Sequence, residues 1–316
     1  MSKTEKIILL VALCMLPVGI LLAILGLRFG GKATWGLDLN NMKYYENTNM
    51  QEKTVSLDAF DSIVLDVSSA DIMIKTGDSY SLTYRTPEDR EPEVKQSGSE
   101  VRIKQNIDNR LVFTFFSNIE GERFILTVPK DSKEYQLTVD ATSGDIVVDK
   151  VAVSGRITLS SGDVALRDFD GGRLNLQGTS GDLEVDGVNM NTLYVKTSSG
   201  DMSVQNGTIG DLSLAATSGD INLGKVTSDT FTFDLSSGDV DLIDSKISQI
   251  RGAVTSGDVD MRLLGNEKDY DYDLSVTSGD IEINGDEKDE HYIRDEGCAN
   301  KITVSTTSGD IDIRLN

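Results

Sequence analysis

Hydrophobic and polar residues alternate along most of the chain after residue 53, and the period of two predicts β-strands rather than helices. The stretch SIVLDVSSADIMIK (62–75) places Ile63, Leu65 and Val67 on one side of a strand. EVRIKQ (100–105) and RFILTVP (123–129) alternate in the same way. These segments predict a region of β-strands over residues 53–134.

From about residue 135 the alternation is organised by a phrase that occurs nine times: Ser or Thr, then Ser-Gly-Asp, then an apolar residue. Consecutive glycines of the phrase are 18, 19, 19, 19, 19, 19, 22 and 30 residues apart. A near-constant period of this length predicts a solenoid. The glycines and aspartates are Gly144, Asp145, Gly162, Asp163, Gly181, Asp182, Gly200, Asp201, Gly219, Asp220, Gly238, Asp239, Gly257, Asp258, Gly279, Asp280, Gly309 and Asp310.

Apolar residues stand three and five positions after the serine of every phrase, and six and four positions before it in most copies. Each repeat therefore predicts two short strands joined at the phrase, followed by a looser return. One such coil buries too few side chains to be stable alone, so coils must stack about 4.8 Å apart. The sequence thus predicts an all-β chain with a parallel β-solenoid over residues 135–316, continuous with the region 53–134. An antiparallel, blade-like arrangement is the alternative, although 19 residues are few for a propeller blade.

The phrase itself is predicted to form a structural corner of the coil. Glycine permits a positive φ, and Asp, Ser and Thr side chains hydrogen-bond to backbone groups at a bend. Carboxylates stacked at the spacing of strands repel each other by about 0.9 kcal/mol per pair even in water. Either backbone N–H groups hold each carboxylate, or a cation such as calcium lies between rungs. A flat Ser/Thr/Asp face that binds glycan is a further alternative.

Residues 7–27, IILLVALCMLPVGILLAILGL, contain no charge and are long enough to span a membrane as a helix. The sequence predicts a cytoplasmic tail (1–6), a transmembrane anchor (7–27), a juxtamembrane spacer (28–52) and a large domain outside the cytoplasm. A cleaved signal peptide is the rival interpretation, but the apolar run is long for one and no small-residue cleavage site follows it.

The net charge and the few reactive residues argue against several classes of function. The net charge of −22 argues against nucleic-acid binding. The chain has one histidine, His291, and two cysteines, Cys14 and Cys298, too few for a zinc cluster or a disulfide framework. His291 and Cys298 lie in an insertion, NGDEKDEHYIRDEGCAN (284–300), that is interpreted as a solvated loop with only a weak nucleophile signal. The sequence therefore predicts no enzyme and no cofactor or metal; a glycan-acting β-helix enzyme is the alternative.

Two further segments carry hypotheses about contacts. Phe113, Phe115 and Phe116 form an aromatic run that is interpreted as an inward strand face, with an exposed contact patch as the alternative. The segment GDIDIRLN (309–316) begins with the Gly-Asp of the last phrase and continues as a strand of the final coil. This strand leaves an unpaired edge unless the preceding insertion folds over it or a partner adds a strand, so a partner or self-association is the hypothesis there. The alternative is that the charged residues Asp312 and Arg314 blunt the edge.

The chain resembles a known family in three places. These are the pattern F-x-x-I-x-L-x-V-S-S-A-D-I from Phe60 to Ile72, GDSYSL (77–82) and the repeated TSGDI. They resemble the bacterial putative adhesin family, LiaG-like membrane-anchored proteins with β-strand repeats and a domain of unknown function. The resemblance spans about residues 54–316. It implies a β-solenoid at the bacterial cell envelope with no catalytic residues to transfer. The expected role is an adhesin-like interaction module or an envelope-stress accessory, with wall glycan or an envelope protein as partner.

Overall fold

The computed structural model describes residues 34–38, 43–46, 50–88, 90–105, 110–114, 121–130 and 133–315. The predicted anchor (7–27), Cys14, Phe115 and Phe116 lie outside these residues. Among the residues described, no helix has the length and apolar composition needed to cross a membrane. The anchor therefore stays a prediction from the sequence.

The described chain consists almost entirely of β-strands, which confirms the predicted all-β class. The N-terminal strands are β1 (Thr34–Asp38), β2 (Lys43–Glu46), β3 (Met50–Ser56), β4 (Ser62–Gly77), β5 (Ser81–Pro87), β6 (Glu93–Ser97), β7 (Glu100–Lys104), β8 (Arg110–Thr114) and β9 (Glu122–Pro129). The repeat region begins with β10 (Tyr135–Ser143), β11 (Ile146–Asp149), β12 (Val153–Ser161), β13 (Val164–Arg167), β14 (Asp170–Ser180), β15 (Leu183–Asp186), β16 (Asn189–Lys196), β17 (Met202–Gln205), β18 (Thr208–Ser218) and β19 (Ile221–Gly224). It continues with β20 (Thr227–Ser237), β21 (Val240–Ser256), β22 (Val259–Leu263), a 3₁₀ turn (Glu267–Asp269), β23 (Tyr270–Ser278), β24 (Ile281–Ile283), β25 (Asp286–Lys288), β26 (His291–Arg294), β27 (Asn300–Ser308) and β28 (Ile311–Leu315).

A small unit contains β1, β2 and β8, which form an antiparallel sheet in the order β2-β1-β8. Trp35 of β1 lies opposite Phe113 of β8 in the register of this sheet. The predicted juxtamembrane spacer (28–52) thus contains two short strands, β1 and β2, which the sequence pattern did not indicate. Strands of four and five residues contain only about two periods of alternation, which is too short a pattern to recognise.

The large unit is a solenoid with two parallel sheets. Strands that precede the phrase form the first sheet, and strands that follow it form the second. Each strand pairs in register with the same position of the neighbouring coil, so that Val204 lies between Val185 and Leu223. Strand β4 contributes to both sheets, because its first half pairs with β10 and its second half with β11. Its segment SSAD (68–71) occupies the corner of that coil, with Ser69 paired to Ser143.

The core of the solenoid is one continuous row of aliphatic and aromatic side chains between the sheets. The apolar positions of the phrase supply it: Leu212, Leu214, Ile221 and Leu223 of one coil are all at most 1% exposed. Burial of this periodic pattern is the main force that stabilises the stack.

A second corner of the coil lies five residues after six of the nine phrase aspartates. Here six successive coils adopt a left-handed backbone conformation with φ between 50° and 66°, at Lys150, Asp168, Gly187, Asn206, Lys225 and Asp244. Gly187, Asp168, Asn206 and Asp244 are of types that adopt this conformation readily, whereas each of the two lysines imposes a conformational cost of about 1–2 kcal/mol.

Replacing Lys225 by glycine is expected to stabilise the protein. The change removes the left-handed strain and adds the backbone entropy cost of glycine, for a net gain of about 0.5–1 kcal/mol. Urea unfolding of the full-length protein measures it. The matched control is Lys246→Gly, within strand β21, where glycine should cost a similar amount. A loss of stability for Lys225→Gly would contradict the assignment of this corner.

The stacking order departs from the chain order at the C-terminal end. We call the β21–β22 repeat coil 246–263, the β23–β24 repeat coil 270–283, and the β27–β28 repeat coil 300–315. Coil 300–315 lies between the other two, because β27 pairs with β21 and β23, and β28 pairs with β22 and β24. The prediction that the C-terminal strand GDIDIRLN forms an unpaired edge is therefore wrong.

The insertion before coil 300–315 forms the true end of the stack. Its strands β25 and β26 pair antiparallel with β24 and β23, respectively, so the predicted solvated loop is instead a short cap. At the other end β7 and β9 stack parallel on β4, and β6 and β5 close them with antiparallel pairing. Short, charged, antiparallel strands at both ends limit edge-to-edge aggregation.

The irregular spacings of the phrase follow from this order. Coil 270–283 does not stack directly on coil 246–263 but one coil further along. The spacing from Gly257 to Gly279 is 22 residues, and the three residues beyond the usual 19 supply the longer connection. The 30-residue spacing includes the cap before the chain returns. The two long spacings, of 22 and 30 residues, thus mark the place where the stacking order changes.

Candidate functional site

All nine phrase glycines lie in one row along a corner of the solenoid. Their φ angles fall between 104° and 144°, a region that other residues rarely adopt. In each case a Cβ atom would lie 1.9–2.4 Å from a backbone carbonyl oxygen of the neighbouring coil. Backbone conformation and space therefore both require glycine at this corner.

The nine phrase aspartates form a hydrogen-bonded ladder beside the glycines. The backbone N–H of each aspartate donates to Oδ1 of the aspartate in the adjacent coil, at 2.8–3.1 Å, and the ladder begins at Asp71. Nine carboxylates thus each accept a backbone hydrogen bond, which offsets the repulsion between neighbouring charges.

We expect Asp220→Asn to retain most of the stability that Asp220→Ala loses. The asparagine Oδ1 can still accept the N–H of Asp239, whereas alanine leaves this group without its partner, at a cost of about 1–2 kcal/mol. Thermal unfolding of the full-length protein distinguishes the two variants. The melting temperature should also be the same in calcium and in EDTA. A large drop in EDTA, or an equal loss for both substitutions, would favour a cation between the rungs.

The first hydroxyl of each phrase points to solvent. This hydroxyl row consists of Thr142, Ser160, Thr179, Ser198, Thr217, Ser236, Thr255, Thr307 and Thr277, all exposed. Hydrogen bonds of the corner use backbone groups, the aspartates and hydroxyls outside this row, such as those of Ser143 and Thr306. The hydroxyls of the row therefore keep their donor and acceptor capacity for an external partner. The row and the corner aspartates together present a regular polar edge over nine coils.

A second acidic feature lies on the outer face of the second sheet. We call Asp241, Asp260, Asp312 and Glu282, which are consecutive in the sheet register, the acidic strip. The first three line a shallow groove of about 350 Å³ together with Arg262 and Arg314. The sequence analysis did not predict the strip, although the pattern Asp-x-Asp or Asp-x-Glu in the last four phrases indicates it.

Burial raises the pKa of Asp241 and Asp260, and nearby carboxylates raise it further. For Asp260 these neighbours are Asp241, Asp312 and Asp258. Arg314 donates to Asp312, at 2.5 Å, and lowers the pKa of Asp260 only in part. The strip therefore carries unfavourable charge repulsion in the folded protein.

Replacing Asp260 by asparagine is expected to stabilise the protein at pH 7. A raised pKa means that the folded state binds the proton more tightly than the unfolded state. The penalty is therefore complete above the folded pKa and disappears below the ordinary value of 3.8. Because Asp260 is exposed, the gain should be below about 1 kcal/mol and should fall in 0.5 M salt. Asp234→Asn, on the other sheet, is the control; equal gains for both variants would contradict repulsion specific to the strip.

His291 and Cys298 do not form a nucleophilic pair in the described structure. Nε2 of His291 lies 3.7 Å from Oδ1 of Asp273, and the Cys298 thiol donates to the carbonyl oxygen of Lys268 at 3.3 Å. Burial raises the pKa of the Cys298 thiol, with further contributions from the hydrogen bond and charge of Asp271. A thiol with a raised pKa is a poor nucleophile at neutral pH.

Among the described residues, no three or more His, Cys, Asp or Glu side chains are arranged to hold a metal ion. The corner aspartates are spread along the stack, and their Oδ1 atoms already accept backbone hydrogen bonds.

Three comparisons with known proteins bear on this architecture. Solved structures with a similar chain course include a putative adhesin from Bacteroides fragilis (13% identity, TM-score 0.47) and a putative lipid binding protein from Parabacteroides distasonis (15%, 0.46). Each covers 85% of this chain and 98% of its own. A putative adhesin from Parabacteroides merdae (10%, 0.45) covers 85% and 97%. No curated protein matches the chain. The model of the Toastrack DUF4097 family matches residues 60–314, and the chain therefore belongs to this family.

Proposed function

We propose that this protein is a non-enzymatic, adhesin-like interaction module of the bacterial cell envelope that binds wall glycan along its polar corner. The hydroxyl row carries the proposal, because it offers the same exposed donor and acceptor group in nine stacked coils. The corner aspartates lie beside it, and their second carboxylate oxygens add acceptors. Sugar hydroxyls both donate and accept hydrogen bonds, so such an edge fits a polyhydroxylated polymer.

A repeated surface also allows a polymer to bind through many contacts that are each weak. Each coil would contribute little affinity alone, but a polymer that contacts several coils binds them with a high effective concentration. Avidity of this kind needs a straight row with a constant spacing, which the in-register pairing of the coils supplies.

Co-sedimentation with purified cell-wall sacculi tests the proposal. The test variant replaces Ser198, Thr217, Ser236 and Thr255 of the hydroxyl row by alanine in the full-length protein. The control variant replaces four hydroxyl residues elsewhere on the coils, Thr208, Thr227, Thr232 and Ser305. We expect the test variant to lose at least about tenfold in apparent affinity and the control to bind like the native protein. Equal binding by all three proteins would contradict a glycan contact at this corner.

The predicted anchor (7–27) is the mode of display at the envelope that we propose. We expect the full-length protein to stay with membranes after an alkaline carbonate wash, and its large domain to be cleaved when protease is added to intact protoplasts. A shortened, soluble product that begins after residue 27 would instead indicate a cleaved signal peptide. This outcome would change the mode of display without affecting the glycan test.

A further inference from the structure

Coil 300–315 is bonded on both sides by coils that precede it in the chain. Ser308 pairs with Ser256 on one side and with Ser278 on the other. The aspartate ladder crosses both junctions: the N–H of Asp310 donates to Asp258, and the N–H of Asp280 donates to Asp310, each at 2.8 Å. Coil 300–315 therefore separates two coils that carry the same phrase.

Coils 270–283 and 300–315 have equivalent residues at the positions that pair with the edge of coil 246–263. Ile311 pairs with Val259, and Ile281 pairs with Ile311 at the equivalent position. Without coil 300–315, the parallel register would place Ser278 opposite Ser256 and Ile281 opposite Val259. The N–H of Asp280 would then meet the carboxylate of Asp258 in the same way as the N–H of Asp310 does now.

The connections allow either arrangement. The chain reaches coil 270–283 through residues 264–269, which now span the height of two coils and are long enough to span one. The segment that leads from the cap to coil 300–315 is held by the buried carboxylate of Asp271. This group accepts the N–H groups of residues 296–298 at 2.8–3.2 Å. Since Asp271 belongs to coil 270–283, the cap and this coil can move together.

We propose that the edge of coil 246–263 is a strand-binding site with two alternative occupants in this chain. Coil 300–315 occupies it in the structure described, and coil 270–283 closes onto it when coil 300–315 is displaced. The inserted state is favoured because it buries Ile302, Val304, Ile311 and Ile313, all at most 1% exposed. This exchange changes the length of the stack by one coil. It exposes coil 300–315, which carries the phrase, when that coil is displaced, and it buries the coil when it is inserted.

Disulfide trapping in the full-length protein tests this exchange, with Cys14 and Cys298 replaced by serine throughout. Residues 256 and 278 are about 9.6 Å apart across coil 300–315, too far for a disulfide, but neighbours in the closed state. We expect Ser256→Cys with Ser278→Cys to oxidise slowly. We expect Ile313→Ala, which weakens the inserted state by removing side-chain packing between Met261 and Ile283, to accelerate this oxidation at least about tenfold. Ser256→Cys with Ser308→Cys should oxidise readily and report the inserted state.

The control pair is Ser199→Cys with Ser237→Cys. These residues are also separated by one coil, through Ser218, but no alternative occupant exists there. This pair should stay reduced, both alone and with Ile313→Ala. The proposal is overturned if the pair 256–278 stays reduced after coil 300–315 is weakened. It is also overturned if the pairs 256–278 and 199–237 oxidise at the same rate, because opening of the whole solenoid would then account for both disulfides.

Discussion

Gly181→Ala should destabilise the protein by about 3–5 kcal/mol, the largest effect that we expect of a single small substitution. The backbone of Gly181 has a φ of 127°, and an added Cβ would lie 1.9 Å from the carbonyl oxygen of Gly162. Neither atom can move away without breaking the ladder that joins the coils. Because each coil depends on its neighbours, the damage should extend to the coils on both sides.

The same coil contains a control for this prediction. Gly178 lies three residues earlier in strand β14, and an added Cβ there would have its nearest neighbours at 3.5 Å and 3.6 Å. Coils with alanine at the equivalent position exist, at Ala141 and Ala216. Gly178→Ala should leave the free energy of unfolding unchanged or raise it by up to about 1 kcal/mol. Urea unfolding of both variants measures the difference, and equal effects would contradict the steric account of the corner.

The second large effect concerns a pair of core positions in adjacent coils. Gly252 stands where most coils have an aliphatic residue, and the ring of Phe233 from the neighbouring coil fills the space. Phe233→Ala should cost about 3–5 kcal/mol, because a nearly inaccessible ring is lost. Gly252→Ala should cost about 1–3 kcal/mol, because the new methyl group would lie 1.9 Å from the ring.

The two changes should not add. In the Phe233→Ala background the methyl group of Gly252→Ala enters vacated space, so the second substitution should be neutral or stabilising. A double-mutant cycle on the free energy of unfolding should therefore give a favourable coupling of about 1–3 kcal/mol. Additive costs would show that the glycine is required for its backbone and not for the space that it leaves to the ring.

Much of the fold could be predicted from the sequence because its signal is repeated. The apolar positions around each phrase predicted the buried rows, and the constant spacing predicted the stack. The order of the last coils could not be predicted in the same way. Coils 270–283 and 300–315 carry the same phrase, so local pattern assigns both to the same edge. Only their connections, with spacings of 22 and 30, distinguish the two places.

Some features of the candidate site could likewise be predicted from the sequence, and others could not. The sequence predicted a structural corner at the phrase glycines, and in the structure these glycines have positive φ angles and leave no space for a Cβ atom. The left-handed corner at Lys150 and Lys225 was missed, since lysine gives no sequence signal for a positive φ. The acidic strip was missed because its aspartates occupy ordinary outward positions of strands, and only the stacking of coils brings them together.

We propose the hydroxyl row as the surface through which the protein contacts the envelope. The most direct measurement places a photo-crosslinking amino acid at Thr217, in the row, or at Thr227, outside it, in the full-length protein in living cells. We predict that irradiation attaches the protein to wall glycan from position 217 and not from position 227. Attachment from both positions, or from neither, would contradict the claim.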